Sequence, residues 1–175
     1  MLQIYTDGSV NRKNLKYDRP ITAGFAATFD HECFQTIQHR VPESMPQEIK
    51  IAEGLAVLCS FLVVVKALEN KDISFSSIEL FCDSDSIVKW LQKLQKSLKV
   101  KHHDNRKKTS FTDVLEPETL NCLRKLAKMR VKLQIYKVKS HHTNERNNEV
   151  DLLAREATRL DSAPQAYKDL LKLYM

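Results

Sequence analysis

Leu2, Ile4 and Thr6 alternate with Gln3 and Tyr5, the period-two pattern of a β-strand, and the strand runs straight into Asp7-Gly8-Ser9. Two further strands, rich in β-branched and aromatic residues, are predicted in ITAGFAATF (21–29) and CFQTIQHR (33–40), with the polar loop NRKNLKYDRP ahead of them. A helix is expected to open at SMPQ, where Ser44 and Gln47 fit a capping box and Pro46 suits a first turn, and to run to about Leu68. SSIELFCD (76–83) reads as a fourth strand, and SDSIVKWLQKLQKSL (84–98) as a helix capped by Ser84, Asp85 or Ser86. Beyond the basic loop KVKHHDNRKKTS come a helix in EPETLNCLRKLAKM, with Pro117 near its start, and a fifth strand in VKLQIYKVK. The alternation of that strand slips at Tyr136, which leaves room for a bulge. NNEVDLLAREATRL predicts another helix, and QAYKDLLKLYM, after Pro164, a short terminal one.

Three strands, a helix, then strand–helix–helix–strand–helix is a mixed α/β order. The 175 residues suffice for one domain with a real core, and no internal repeat or low-complexity linker divides them. A domain over residues 1–160 is expected, with 161–175 as a helical tail packed on it or on a partner. No apolar run approaches the roughly 20 residues of a membrane span; LCSFLVVVKAL is too short and has charged neighbours. The start lacks the basic and apolar regions of a secretory signal. Cys33, Cys59, Cys82 and Cys122 offer no C-x-x-C pair and lie mostly among apolar residues, as core thiols of a reducing compartment do. A cytoplasmic location is expected.

Net charge is +6, and the excess is local. From Lys89 to Lys108 there are eight basic residues (Lys89, Lys93, Lys96, Lys99, Lys101, Arg106, Lys107, Lys108) against one acid, Asp104. The rest of the chain carries 28−8=20 basic and 22−1=21 acidic residues. A concentrated basic patch points to a phosphate backbone as partner.

Four carboxylates need a physical account. Asp7-Gly8 looks like a hairpin dipeptide, but the next strand begins more than ten residues later, so a tight hairpin does not follow. Glu53 is the only charged residue from Ala52 to Val65; a helix so apolar is buried, and an ionised carboxylate inside it is costly unless paired or bound to metal. Glu48, in the first turn of that helix, is explained by the dipole and by solvent. Asp83 ends a strand and Asp151 lies in VDLLAREA; each alone passes for a helix-start acid. Clustered, the four would repel one another, an arrangement that makes sense where divalent cations neutralise it. Ligation by carboxylates without cysteine suits Mg²⁺ or Mn²⁺ rather than zinc. Asp7 therefore reads best as a metal ligand.

With these features the chain resembles ribonuclease H of type 1, through YTDGS, AEGLAVL, LFCDSDS and VKSHHTNERNNEVDLLAREA, from Leu2 to about Leu160. The resemblance implies a ribonuclease H-like fold: a five-stranded mixed sheet flanked by helices, in the order βββαβααβα, here with an extra C-terminal helix. It implies that Asp7, Glu53, Asp83 and Asp151 hold two Mg²⁺ ions, with Mn²⁺ as substitute, and that the RNA strand of RNA/DNA hybrids is cleaved to leave 5′-phosphate ends. His141, ten residues before Asp151, takes the place of the family's loop histidine, which assists proton transfer or product release; its neighbour His142 is ambiguous. The basic run falls where many members carry a protrusion that grips nucleic acid, and Trp90 is too early to belong to it, so core packing is expected for that ring. The likeness has departures. No glycine-rich loop follows Asp-Gly-Ser, and Ile49 and Lys50 stand where members often place groove-reading asparagines; Gln47, or Asn11 and Asn14, are candidate substitutes. No small-molecule cofactor is expected, and a monomer is. The competing readings are an inactive or altered-specificity nucleic-acid-binding module on the same fold, and the ribonuclease H domain of a retroelement reverse transcriptase; Met1 directly before the first strand favours a free-standing enzyme.

Overall fold

The computed structural model of the protein describes residues 1–12, 20–98, 110–138 and 144–174, with the side chains of 110–113 excepted. Five strands form one sheet: β1 (Leu2–Asn11), β2 (Thr22–Phe29), β3 (Ile37–Arg40), β4 (Ser77–Cys82) and β5 (Lys132–Lys137), in the spatial order β3-β2-β1-β4-β5. β1 pairs antiparallel with β2 and parallel with β4; β2–β3 is antiparallel and β4–β5 parallel. The helices are α1 (Ile49–Glu69), α2 (Asp85–Ser97), α3 (Ser110–Lys128), α4 (Glu145–Ala157) and α5 (Tyr167–Lys172). Element order and mixed sheet are those expected from the sequence.

Because side chains alternate across a strand, β1 faces two cores. Leu2 and Ile4 join the larger one, with Phe25 of β2, most of α1, and residues of α2, α3 and α5. Tyr5 faces the other way and packs with Ala26, Val150 and Ala154, where α4 covers the sheet. α1 is long and apolar enough to cross a membrane by length and composition, although the apolar run read from the sequence was shorter; most of the helix is buried against the sheet and α3. Trp90 is buried in the larger core. Cys59, Cys82 and Cys122 are buried and Cys33 is exposed, all four as free thiols.

Two glycines allow the layers to approach. A Cβ built on Gly8 would lie 2.5 Å from the backbone nitrogen of Glu53 and 2.8 Å from Ala52 Cβ. One on Gly24 would lie 2.5 Å from the backbone nitrogen of Thr158. No glycine has a positive φ, so Gly8 is present for close approach, not for a turn.

Several element boundaries differ from expectation. α1 begins at Ile49, and its N-cap is Glu48, without a side-chain cap. The Ser44–Gln47 capping box does not form, because Gln47 is used elsewhere: Oε1 accepts from the Ala23 N–H (2.8 Å), and Nε2 donates to the carbonyls of Pro42 and Met45 (both 3.1 Å). β3 is confined to Ile37–Arg40, while Phe34 leaves the strand to stack on Phe29. α3 starts at Ser110, so Pro117 lies inside it rather than near its start. β5 carries no bulge at Tyr136; its register with β4 runs unbroken through Phe81↔Tyr136 and Cys82↔Lys137. The apolar ring on that face is accounted for by stacking on Phe81, which stacks in turn on Tyr5. In the tail, Leu170 and Leu171 are buried in the larger core, and the Ser44 N–H donates to the Gln165 carbonyl.

Gly8→Ala is expected to destabilise the protein by about 2–3 kcal/mol, since the new methyl meets backbone rather than a flexible side chain. Chemical denaturation should show the midpoint falling with the slope unchanged.

Candidate catalytic site

The approach at Gly8 sets Glu53 against the strand that carries Asp7. The parallel register pairs Thr6 with Cys82, so Asp7 and Asp83, one residue on in each chain segment, emerge side by side. Asp7, Glu53 and Asp83 each bring one carboxylate oxygen into a group whose members all lie within 4.8 Å of one another. Asp7 is 6% exposed and Glu53 8%.

Burial, reinforced chiefly by the charge of Asp83, pushes the Asp7 carboxyl up to about 8, although the Gly8 N–H donates to its Oδ1 at 2.7 Å. Burial likewise raises Glu53 to about 7, against a hydrogen bond from the Ser84 side chain that favours its charged form. Among the described residues no lysine or arginine forms an ion pair with Asp7 or Glu53. Three converging carboxylates, two of them buried, are unfavourable in isolation and suit a hard divalent cation. The Cys82 thiol beside them is pushed up to about 12 by burial, so the donors remain oxygen. The chemistry of this donor set fits the Mg²⁺ or Mn²⁺ expected from the sequence.

Asp151 approaches from the opposite side on α4. Its charge raises Asp7, yet its carboxylate is outside the group of three. It is instead held by Arg155, one helical turn on, through Nε to Oδ1 (2.9 Å) and Nη2 to Oδ2 (2.8 Å). His141 and His142 lie outside the described residues, as do Asn14, Lys99, Lys101, Arg106, Lys107 and Lys108 of the candidate nucleic-acid contacts. Lys89, Lys93 and Lys96 are exposed along α2. Lys89 is paired with Asp85, which Lys137 also contacts at 3.1 Å, so part of the patch charge is met locally. Gln47 has its amide committed to the fold, and Asn11 ends β1 opposite Thr22. Two site features escaped the reading of the sequence. The sequence marks Ser84 as a cap, whereas its influence on Glu53 depends on tertiary placement. The Asp151–Arg155 fork could have been found from its i,i+4 spacing.

The model of the RNase H family matches residues 1–159. The chain belongs to the RNase H family. Solved structures agree in fold with this RNase H chain. LC11-RNase H1, solved in complex with an RNA/DNA hybrid, is 17% identical with a TM-score of 0.59, over 91% of this chain and 97% of that one. A foamy viral protease-reverse transcriptase in complex with dsDNA gives 18% identity and a TM-score of 0.60, over 90% and 93%. LC9-RNase H1, a type 1 RNase H with the type 2 active-site motif, gives 15% and 0.55, over 99% and 85%. No curated protein matches the chain. The group of three carboxylates thus sits in an RNase H fold.

In the metal-free protein, folded Asp7 and Glu53 keep protons that the unfolded chain has already released, because their folded values lie above the ordinary carboxylate ones. Between about pH 4 and pH 8 the folded state binds more protons, so stability falls as pH rises. In chelator, the melting temperature should decline toward about pH 8 less steeply for Asp7→Asn than for the unmodified chain. The same substitution should raise metal-free stability near neutrality by about 1–2 kcal/mol. Millimolar Mg²⁺ should raise the melting temperature of the unmodified chain alone, by binding only the folded form.

Proposed function

We propose that this RNase H family chain is a metal-dependent endonuclease that hydrolyses the RNA strand of RNA/DNA hybrids, leaving 5′-phosphate ends. The convergence of Asp7, Glu53 and Asp83 within 4.8 Å is the observation that carries the reading. These three with Asp151 would hold two Mg²⁺ ions, for which Mn²⁺ would substitute. When bound, such a pair supplies activation of a water for attack on phosphorus and neutralisation of charge at the departing 3′-oxygen. Burial of Asp7 and Glu53 fixes their oxygens before substrate arrives, which removes the reorganisation a solvated carboxylate would undergo. The Ser84 side chain favours the charged form of Glu53, and the strand pairing beside Thr6 and Cys82 fixes Asp83 relative to Asp7. His141 would assist proton transfer or product release. Lys89, Lys93 and Lys96, exposed along α2, would lie along the nucleic-acid backbone, together with the other basic residues of the run.

One observation favours a broader substrate range as a second reading. The Gln47 amide makes three hydrogen bonds within the fold, so it does not replace the groove-reading asparagines absent at Ile49 and Lys50.

An end-labelled RNA/DNA hybrid, single-stranded RNA and duplex RNA, each with Mg²⁺, with Mn²⁺ and in chelator, test both readings. Metal-dependent cutting of the RNA strand of the hybrid is expected, falling at least about 100-fold in Asp83→Asn. Equal cutting of duplex RNA would support the broader range. Hybrid binding without turnover in either metal would show a binding module instead.

A further inference from the structure

Three aromatic rings stand in a row on the face of the sheet that α4 covers in part. Tyr5 of β1, Phe81 of β4 and Tyr136 of β5 are register partners across adjacent strands. Their planes are nearly parallel: Tyr5 and Phe81 lie 12° apart with centroids at 4.7 Å, and Phe81 and Tyr136 19° apart at 5.2 Å. Those separations match the ~4.8 Å between strands, so the column runs across the sheet and each ring turns its flat sides toward its neighbours. At the inner end the Arg146 guanidinium lies over the Tyr5 ring, 6.0 Å from its centre. The outer end is Tyr136, on the edge strand β5, and it is 37% exposed. Its hydroxyl accepts from Gln134 Nε2 at 2.9 Å, which fixes the tilt of the ring. α4 packs on β1, β2 and β3, away from this edge. Among the described residues no ring or cation meets the outer side of Tyr136.

We propose that the outer side of Tyr136 is a stacking site for an unpaired base of the nucleic-acid substrate, so that the chain prefers a hybrid that continues into a single-stranded extension. The proposal rests on the substrate read above and adds a position beside the cut. Tyr136 is in register with Phe81, and Asp83 is two residues further along, so the two backbones are roughly 8 Å apart at these positions. That is two to three base rises of about 3.4 Å. A paired base has neighbours on both of its faces, whereas the first unpaired base beyond a duplex has one face open. Extending the column by one ring covers that face and the exposed side of Tyr136, without regard to base identity. Lys132 and Lys137, exposed at the two ends of β5, put positive charge on either side of the ring, and the strand between them holds no acid. The same lysines disfavour a second copy as the occupant. Antiparallel pairing of two β5 strands about their middle would set Lys132 of one copy opposite Lys137 of the other.

Fluorescence anisotropy in chelator, where metal-dependent cutting does not compete, compares a blunt RNA/DNA hybrid with hybrids that carry a short single-stranded extension on the RNA or on the DNA strand. The unmodified chain should bind one of the extended hybrids roughly tenfold more tightly than the blunt one. Tyr136→Phe, which keeps the ring, should retain that preference. Tyr136→Leu and Tyr136→Thr should lose it while binding the blunt hybrid as before; threonine suits an edge strand, so the second variant guards against a misfolded first. A fluorescent base analogue that dims on stacking, placed as the first unpaired base, should dim with the unmodified chain and not with Tyr136→Leu or Tyr136→Thr. Equal affinity for blunt and extended hybrids would overturn the proposal, as would a preference that survives in both ringless variants. A dimer in sedimentation that Tyr136→Leu and Tyr136→Thr dissociate would overturn it too, because the ring would then belong to an interface between copies. If hybrids are cut in Mg²⁺ but extensions change nothing, the nuclease reading stands and this inference fails. If the preference depends on Tyr136 and no hybrid is cut, the stacking site stands and the nuclease reading fails.

Discussion

The contact on which the site depends is the approach of α1 to β1 at Gly8, where the backbone of Glu53 occupies the space a side chain would fill. That approach brings an acid from the middle of an apolar helix to an acid in the central strand. It also explains why both carboxylates are raised: the packing that gathers them removes the water that would solvate them. The energy of the core is thus partly used to hold charge in an unfavourable place, a common arrangement where a site is made ready before its ligand.

The sheet supplies the second constraint. β1 is central, with an antiparallel neighbour on one side and a parallel one on the other. Only the parallel pairing puts the ends of β1 and β4 in the same direction, so Asp83 enters a helix beside Asp7 rather than at the far edge of the sheet. α4 completes the surroundings from the opposite face, through Val150 and Ala154 packed on Tyr5 and Ala26. The four acids therefore come from both faces of one sheet.

Much of this was legible in the residues. Glu53 announced itself as the lone acid in an apolar stretch and Asp83 as an acid at a strand end, because burial and alternation leave marks in local sequence; Asp7, read at the end of a strand, lies within β1, which runs on to Asn11. What could not be read were choices made between distant segments. Gln47 looked like a capping residue until Ala23, on another strand, proved to need an acceptor. Tyr136 broke the alternation of β5 because Phe81 offered it a ring to stack on, not because the ladder was interrupted. Pro117 looked like a helix start although α3 begins seven residues earlier, at Ser110. Ser84 was visible as a cap, but its effect on Glu53 exists only once α1 and β4 have met the same strand.

The pairing of β1 with β4 has a consequence for synthesis of the chain. Asp7 is made before the other two acids and has no neighbouring acid until Glu53 and then Asp83 have emerged and β4 has found β1. Contacts so far apart in sequence form late, after the loop between them has been closed. A partly made chain therefore has no preassembled trap for a divalent ion, and a cation cannot template early folding by gathering these carboxylates. Ion capture marks the completion of the sheet.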